Sequence, residues 1–454
     1  MNKKQIYLLY LIQFFKQAAM WIAVVEIPVY LAQKDAAGGL LWSHTQKGMV
    51  FFSWVFFQNI TNIIFGMYAD RISLRKSLII SQLFLALGYS IVAIAQSYYL
   101  FMTSVIFLGI GTGMFKLCVE GGLAYYSDKN TSHKIWSNFI LFINVAIIIA
   151  TILLIYLEKI SYQVTFFASV FLVLCNIPLI FLLNEKNVDE NIKVNPFESF
   201  KELLLNKKLS YLILIMSGFT LIYIQFYEML PNYIFDWIDT SGLVTSLNLP
   251  DYMTTITSSG RMLSYQIIYL LTSVLVILFI NPISHLLRNN NKLNSLIFAM
   301  ILVSIGCLSI SFSQLALFLF LGLTVYTFGE MIVRPKFQEI VTDLSPKKRE
   351  SQYLSFLHIS YALGYMIGAL SGGIVYDTFG EKAKLAQIEL QSKFGITESI
   401  ENAFLTLSQK LNLTPQETTD LLFNNYNPLN AWLPFIGILI ICIILLFIYK
   451  KRFN

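Results

Sequence analysis

Seven charged side chains interrupt apolar sequence, and their types and spacing define the chemistry open to this chain. Lys16 lies in "IQFFKQAAMW", Glu26 in "VVEIPVYL", Lys116 and Glu120 in "GMFKLCVEG", Glu228 in "QFYEML", and Glu330 and Arg334 in "TFGEMIVRP". Two of these sets put opposite charges four residues apart, within reach of one another on a helix face. A charge at mid-bilayer depth costs about 2.5–3.5 kcal/mol or more, so it marks a partner, a wet cavity or a function. The chemistry available is therefore anion binding by Lys16, Lys116 and Arg334, ion pairing, or proton carriage by a carboxylate. Covalent catalysis is not indicated. There is no GxxxxGK[ST] phosphate loop and no GxSxG elbow, and "GIGTGM" lacks the third glycine of a dinucleotide fingerprint. Cys118, Cys175, Cys307 and Cys442 share no disulfide or metal spacing, and His44, His133, His285 and His358 form no HExxH pair. No enzyme, metal or cofactor is expected.

The elements that must hold these charges are read from composition. Of 454 residues, 56% are hydrophobic and only 13% charged, where a soluble globule carries about a quarter charged residues. Twelve apolar runs fall at 5–31, 46–68, 76–95, 99–125, 136–157, 162–183, 209–236, 261–287, 293–312, 315–341, 352–376 and 429–449. Each is long enough to cross a ~30 Å hydrocarbon core as a helix. The first is not a cleaved signal peptide, because Lys16 breaks its run and no small-x-small site closes it. Basic residues in "NKK", "DRISLRK", "SDKNTSHK", "LRNNNK", "SPKKRE" and "KKR" gather on one side, which puts both termini in the cytoplasm. The net charge of +6 thus reflects topology and an anionic inner leaflet, with no nucleic acid implied.

Organisation follows from the connections. Residues 1–183 form an expected N-terminal six-helix bundle and 209–454 a C-terminal one. Between them, 184–208 carries "NPFESFKELLLNKK", an amphipathic pattern suited to the inner membrane surface. The segment at about 378–428 is an outer insertion of two or three short helices. In it, Thr414, Pro415 and Glu417 make a capping-box signature. Because it crosses no membrane, 380–427 is expected to be dispensable for insertion. Gly364, Gly368 and Gly372 recur on one face of the eleventh run and allow a second helix to approach closely.

"GMYADRISLRK" resembles the loop signature of the major facilitator superfamily, GxxxDRxGRRK, with Gly66, Asp70, Arg71, Arg75 and Lys76 matching and Ser73 in place of a glycine. That resemblance implies two six-helix halves working by alternating access, with Gly66, Asp70, Arg71 and Arg75 as gating residues. Within the superfamily, the chain is similar to the proton-dependent oligopeptide transporters over residues 10–375. "GTGMFKLCVEG" aligns Lys116 with that family's lysine, "SNFILFINVA" aligns Asn144 with its asparagine, and "TFGEMIVRP" aligns Glu330 and Pro335 with its glutamate and proline. The first-span ExxER triplet of the family is here Gln13, Lys16 and Gln17. Both glutamates and the arginine are gone.

The resemblance implies an all-α polytopic membrane protein of twelve transmembrane helices, a secondary transporter moving a peptide-like or other carboxylate-bearing solute. Lys16, Lys116, Asn144, Glu228, Glu330 and Arg334 are the substrate-binding candidates. Coupling candidates are Glu330, Glu228, Glu120 and Glu26, with a co-transported proton the candidate partner ion. The same fold also supports an exporter of drugs or siderophore-like metabolites, or a substrate sensor without flux, although retained Lys116 and Glu330 argue against the sensor. The expected setting is the lipid bilayer of a bacterial plasma membrane, with the chain a monomer.

Overall fold

A computed structural model describes residues 3–34, 38–66, 73–126, 132–184, 205–287, 289–344 and 350–453. Nearly all of it is helix. Eleven helical stretches among the described residues are long and apolar enough to cross a membrane. Helix α2 (His44–Gly66), of 23 residues, carries Gln46, Lys47, Gln58, Asn59 and Asn62 and falls outside that set. Two compact units emerge, one of residues 1–26 and 50–204, the other of 27–49 and 205–454. Residues 185–204 of the amphipathic linker, Asp70 and Arg71 lie outside the described residues.

The first unit holds most of α1 (Lys3–Ala32) and of α2, then α3 (Leu74–Ile94), α4 (Tyr98–Tyr126), α5 (Ser132–Leu157), α6 (Tyr162–Leu174) and α7 (Asn176–Phe181). Helix α3 packs on both α4 and α6. A Cβ at Gly111 would meet the Ser81 carbonyl at 3.0 Å, so α4 approaches α3 more closely than a side chain permits. The core beneath includes Leu9, Ile12, Leu78, Phe115, Val119 and Ile180, all at most 1% exposed. Buried polar groups are spent on register. Trp21 donates to Thr151 (2.9 Å), Ser169 to the Ala19 carbonyl (3.0 Å) and Tyr10 to the Ile135 carbonyl (2.8 Å). Ser73, standing where the superfamily signature has glycine, is the N-cap of α3 and accepts from the Lys76 amide.

In the second unit the expected continuous seventh helix is broken into α8 (Lys207–Tyr223), α9 (Gln225–Glu228) and α10 (Leu230–Trp237). Pro231 supplies no N–H for the Tyr227 carbonyl, and neighbouring carbonyls find other donors. That of Phe226 accepts from the Tyr269 hydroxyl and that of Glu228 from Lys47. The eighth helix also differs from expectation. Residues 261–264 are not helical: after α11 (Ser241–Ser246), β1 (Thr254–Thr257) pairs antiparallel with β2 (Gly260–Leu263), and α12 (Tyr265–Leu286) starts only at Tyr265. The β-branched "TTIT" favours a strand, and Gly260 has the positive φ (+129°) the turn requires. The unit continues through α13 (Lys292–Phe312), α14 (Ala316–Leu344), α15 (Glu350–Phe379), α16 (Lys382–Phe394), α17 (Ile400–Leu411), α18 (Pro415–Tyr426) and α19 (Leu433–Phe453).

Helices α16 to α18 are the expected insertion, and the capping box at Thr414 forms as read. The segment is not a free appendage, however. Trp237 donates to the Gly380 carbonyl (2.8 Å), Lys382 donates to Ser258 in the hairpin turn (2.8 Å), Ser259 bonds Thr419 (2.8 Å), and Phe423 meets the Trp237 ring edge-on at 6.0 Å. Deleting it would strip these partners from Trp237 and the hairpin turn. Within the cap, the Thr414 amide and hydroxyl hold the Glu417 carboxyl below its usual range. A depressed folded value means this contribution is complete above the unfolded value and is lost as pH falls through the folded one. Acidification through that range is expected to fray the first turn of α18, read as faster amide exchange at Glu417 and Thr418 relative to α17; Thr414→Ala should fray it already at neutral pH.

Candidate functional site

The second unit contains a buried charge cluster centred on Lys47, whose side chain is 0% exposed. Its ammonium faces the Glu228 carboxylate (3.1 Å), the Glu228 carbonyl (2.5 Å), Asn232 Oδ1 (2.9 Å) and His44 Nδ1 (3.0 Å). An ammonium only donates, so His44 Nδ1 accepts and its Nε2–H faces Glu381, with which it pairs. The network continues outward from Asn232. Asn232 donates to Gln33 (3.0 Å), Gln33 to Asp236 (2.7 Å), and Tyr376 to the other oxygen of Asp236 (2.8 Å). Asp377 caps α2 from α15, accepting from the His44 amide (2.9 Å) and the Thr45 amide (2.7 Å). Glu228, a substrate-binding candidate from sequence, is thus fully buried against Lys47. Sequence reasoning missed Lys47, Gln33, Asn232 and Asp236. Their only local signal was a histidine and a lysine three apart at the start of an apolar run.

A second cluster in the same unit is partly open. Glu330 and Arg334, one turn apart on α14, pair through Arg334 Nε and Glu330 Oε1 at 3.3 Å, with 22% and 41% of their side chains exposed. The guanidinium lies 4.3 Å from the Tyr223 ring centroid, and the Tyr223 hydroxyl bonds that of Tyr227. Tyr365 stacks on Tyr223 (5.8 Å, 21°) and Tyr361 lies against Tyr365 at 6.0 Å. The tyrosines were not foreseen, since they come from α8, α9 and α15.

In the first unit Lys16, midway along α1, is 6% exposed. Its ammonium contacts the Met20 sulfur (3.1 Å) and lies 5.5 Å from the Phe115 ring centroid. Among the described residues it pairs with no carboxylate. The charged groups acting on it are Lys116, of like sign, and Glu120, of opposite sign. Gln13 and Gln17, on the same helix, bond one another at 3.4 Å. Glu26 is fully buried in α1. Asn144 donates to the carbonyl of Ile140 on its own helix (2.9 Å). Of the gating candidates, Arg75 donates to the Leu183 carbonyl and Gly66 ends α2; Asp70 and Arg71 lie outside the described residues. Among the described residues no group of His, Cys, Asp and Glu is arranged to hold a metal.

Long apolar helices, broken at α9 and carrying charges along their length, define an integral membrane protein of transporter architecture. The Major Facilitator Superfamily model matches residues 9–246 and 232–387. The chain belongs to that superfamily, a family of transporters. An uncharacterized MFS-type transporter, YttB of Bacillus subtilis (strain 168), is 37% identical over 62 residues, 14% of this chain and 16% of that protein's length. The solved nucleoside transporter NupG matches with a TM-score of 0.71 at 14% identity, over 100% of both chains. A POT family transporter in complex with a thioalcohol-conjugated peptide matches at 0.68 and 14% identity, over 92% of this chain and 96% of that one. The POT family transporter PepTSo matches at 0.67 and 14%, over 98% and 97%. At such identities the likeness is one of fold.

Proposed function

We propose that the chain is a secondary transporter of a small carboxylate-bearing solute, working by alternating access in a bacterial plasma membrane with both termini cytoplasmic. The observation that carries this reading is Lys16, a buried mid-helix ammonium set against a thioether and an aromatic ring rather than a carboxylate. A buried ammonium needs an anionic or hydrogen-bonding partner, and a substrate carboxylate supplies one. Lys116, beside it, adds a second positive charge. Gln13 and Gln17 leave that part of α1 without a carboxylate to carry a proton, so weak coupling is expected, and any proton that does move is left to Glu330, Glu228, Glu120 or Glu26.

The test is uptake into proteoliposomes with an imposed pH gradient, with and without a protonophore. Flux of an anionic solute should depend only weakly on the gradient. Lys16→Gln should weaken uptake of anionic solutes by about tenfold, the loss of one charge-assisted contact, and leave neutral ones little changed. Gradient-driven accumulation that persists in the mutant would make Lys16 a structural residue. Binding without flux would make the chain a sensor.

A further inference from the structure

We propose that the cluster of Arg334 with Tyr223, Tyr361 and Tyr365 is a subsite for a planar aromatic carboxylate, and that it disfavours ammonium groups. The inference rests on the transport reading for its biological use but not for its chemistry. Arg334 approaches Glu330 only through Nε, as an ion pair at 3.3 Å and without a hydrogen bond. Among the described residues its two terminal amino groups meet no hydrogen-bond acceptor, and 41% of the side chain is exposed. That leaves the end-on edge of the guanidinium available as a fork whose geometry matches a carboxylate bidentately. The plane of the group is already fixed, because it lies on the Tyr223 ring at 4.3 Å. A ligand held in that fork lies beside the Tyr223, Tyr365 and Tyr361 rings, whose neighbouring centroids are 5.8 and 6.0 Å apart. Such a wall favours a flat, conjugated acid over a bulky saturated one, since aromatic faces pair best in offset stacks.

The same geometry argues against an amine. Glu330 is the carboxylate of this cluster, and it is paired with Arg334. An ammonium drawn to it would sit beside the guanidinium, a like charge. The i,i+4 spacing of Glu330 and Arg334 allowed either a pair or two members of a mixed-charge cavity; paired, they contribute no net charge, and what remains is a fork of donors.

The experiment is equilibrium binding to the purified full-length protein in detergent, using benzoate, benzylamine and cyclohexanecarboxylate as probes, read by thermal shift and confirmed by calorimetry. Benzoate is expected to bind and stabilise, benzylamine not. Arg334→Lys should weaken benzoate by about tenfold, because an ammonium cannot offer the fork. Arg334→Gln leaves Glu330 without its cation and could unfold, so the double variant Arg334→Gln/Glu330→Gln serves as the folded control and should lose benzoate binding. Tyr365→Leu should narrow the preference for benzoate over cyclohexanecarboxylate. No binding of benzoate to the wild type, equal binding of benzylamine, or full benzoate affinity in the double variant would overturn the proposal. Benzoate binding without proteoliposome flux would sustain the subsite and overturn the transport reading; flux of other solutes without benzoate binding would do the reverse.

Discussion

Lys47→Met is expected to destabilise the folded protein by about 3–5 kcal/mol, the cost typical of breaking a buried ion pair and stranding one charge. The stranded group is Glu228, 0% exposed, for which Lys47 is the only cation within ion-pair distance among the described residues. The loss goes further than one pair. Lys47 also holds Asn232 and the Glu228 carbonyl at the break between α9 and α10, and it fixes the tautomer of His44 toward Glu381. Thermal unfolding in micelles should therefore show a large drop for Lys47→Met. Adding Glu228→Gln to that variant should recover part of it, because the uncompensated charge is then gone while the broken hydrogen bonds are not. If Lys47→Met alone melts like the wild type, or if Glu228→Gln makes it worse, the pair is not what holds this region.

Gly368→Leu is the second large effect. Gly364, Gly368 and Gly372 of α15 lie against the broken seventh helix. A Cβ at Gly364 would overlap the Thr220 hydroxyl and the Ser217 carbonyl, and one at Gly368 would overlap Ile224 and the Leu221 carbonyl. At Gly372 the obstacles are the Gln225 and Glu228 side chains. The seam is also hydrogen-bonded across, by Thr220 to the Ser360 carbonyl (2.8 Å) and by Gln225 to the Gly368 carbonyl (2.8 Å). Backbone atoms cannot step aside as a flexible side chain can, so Gly368→Leu should exceed the usual overpacking cost of about 1–3 kcal/mol and yield aggregated protein on size-exclusion chromatography. Gly121→Ala and Gly437→Ala, where an added Cβ meets nothing within 4 Å, should remain monodisperse. Equal tolerance at all these positions would show that the seam is looser than its geometry.

What could be read beforehand was local. Apolar runs, the Thr414 capping box, the glycine stripe and the i,i+4 pair of Glu330 and Arg334 each depend on residues within a few turns, and periodicity exposes them. The Lys47 cluster was hidden because its members are 181 residues apart between Lys47 and Glu228 and 333 between His44 and Asp377. No spacing rule joins such positions; only packing does. The hairpin was overlooked for the opposite reason. "RML" and "SYQIIYLL" run together as one apolar stretch from 261, and the turn signal in "SSG" just before it was not read as a hairpin turn. Lys16 was recognised as important from its depth, but its sulfur and aromatic neighbours depend on rotamers and on Phe115 from another helix. The gating loop, legible as a signature, lies outside the described residues, and its described flanks are Gly66, Ser73, Arg75 and Lys76.

The sequence distance inside the Lys47 cluster has a consequence for biogenesis. At about 5–20 residues per second, the 333 residues between His44 and Asp377 take roughly 17–67 s to synthesise. During that interval Lys47 is made but Glu228 and then the acidic end of α15 are not. The start of α2 must wait at the membrane surface, hydrated or shielded by the insertion machinery, until its late partners arrive. A ribosome stalled after residue 204 would therefore leave this segment, 27–49, accessible to a quality-control protease, whereas completion of the chain would close it off. Maturation of the protein is thus clocked by its C-terminal half, and mutations there can be expressed as degradation signals near the N-terminus.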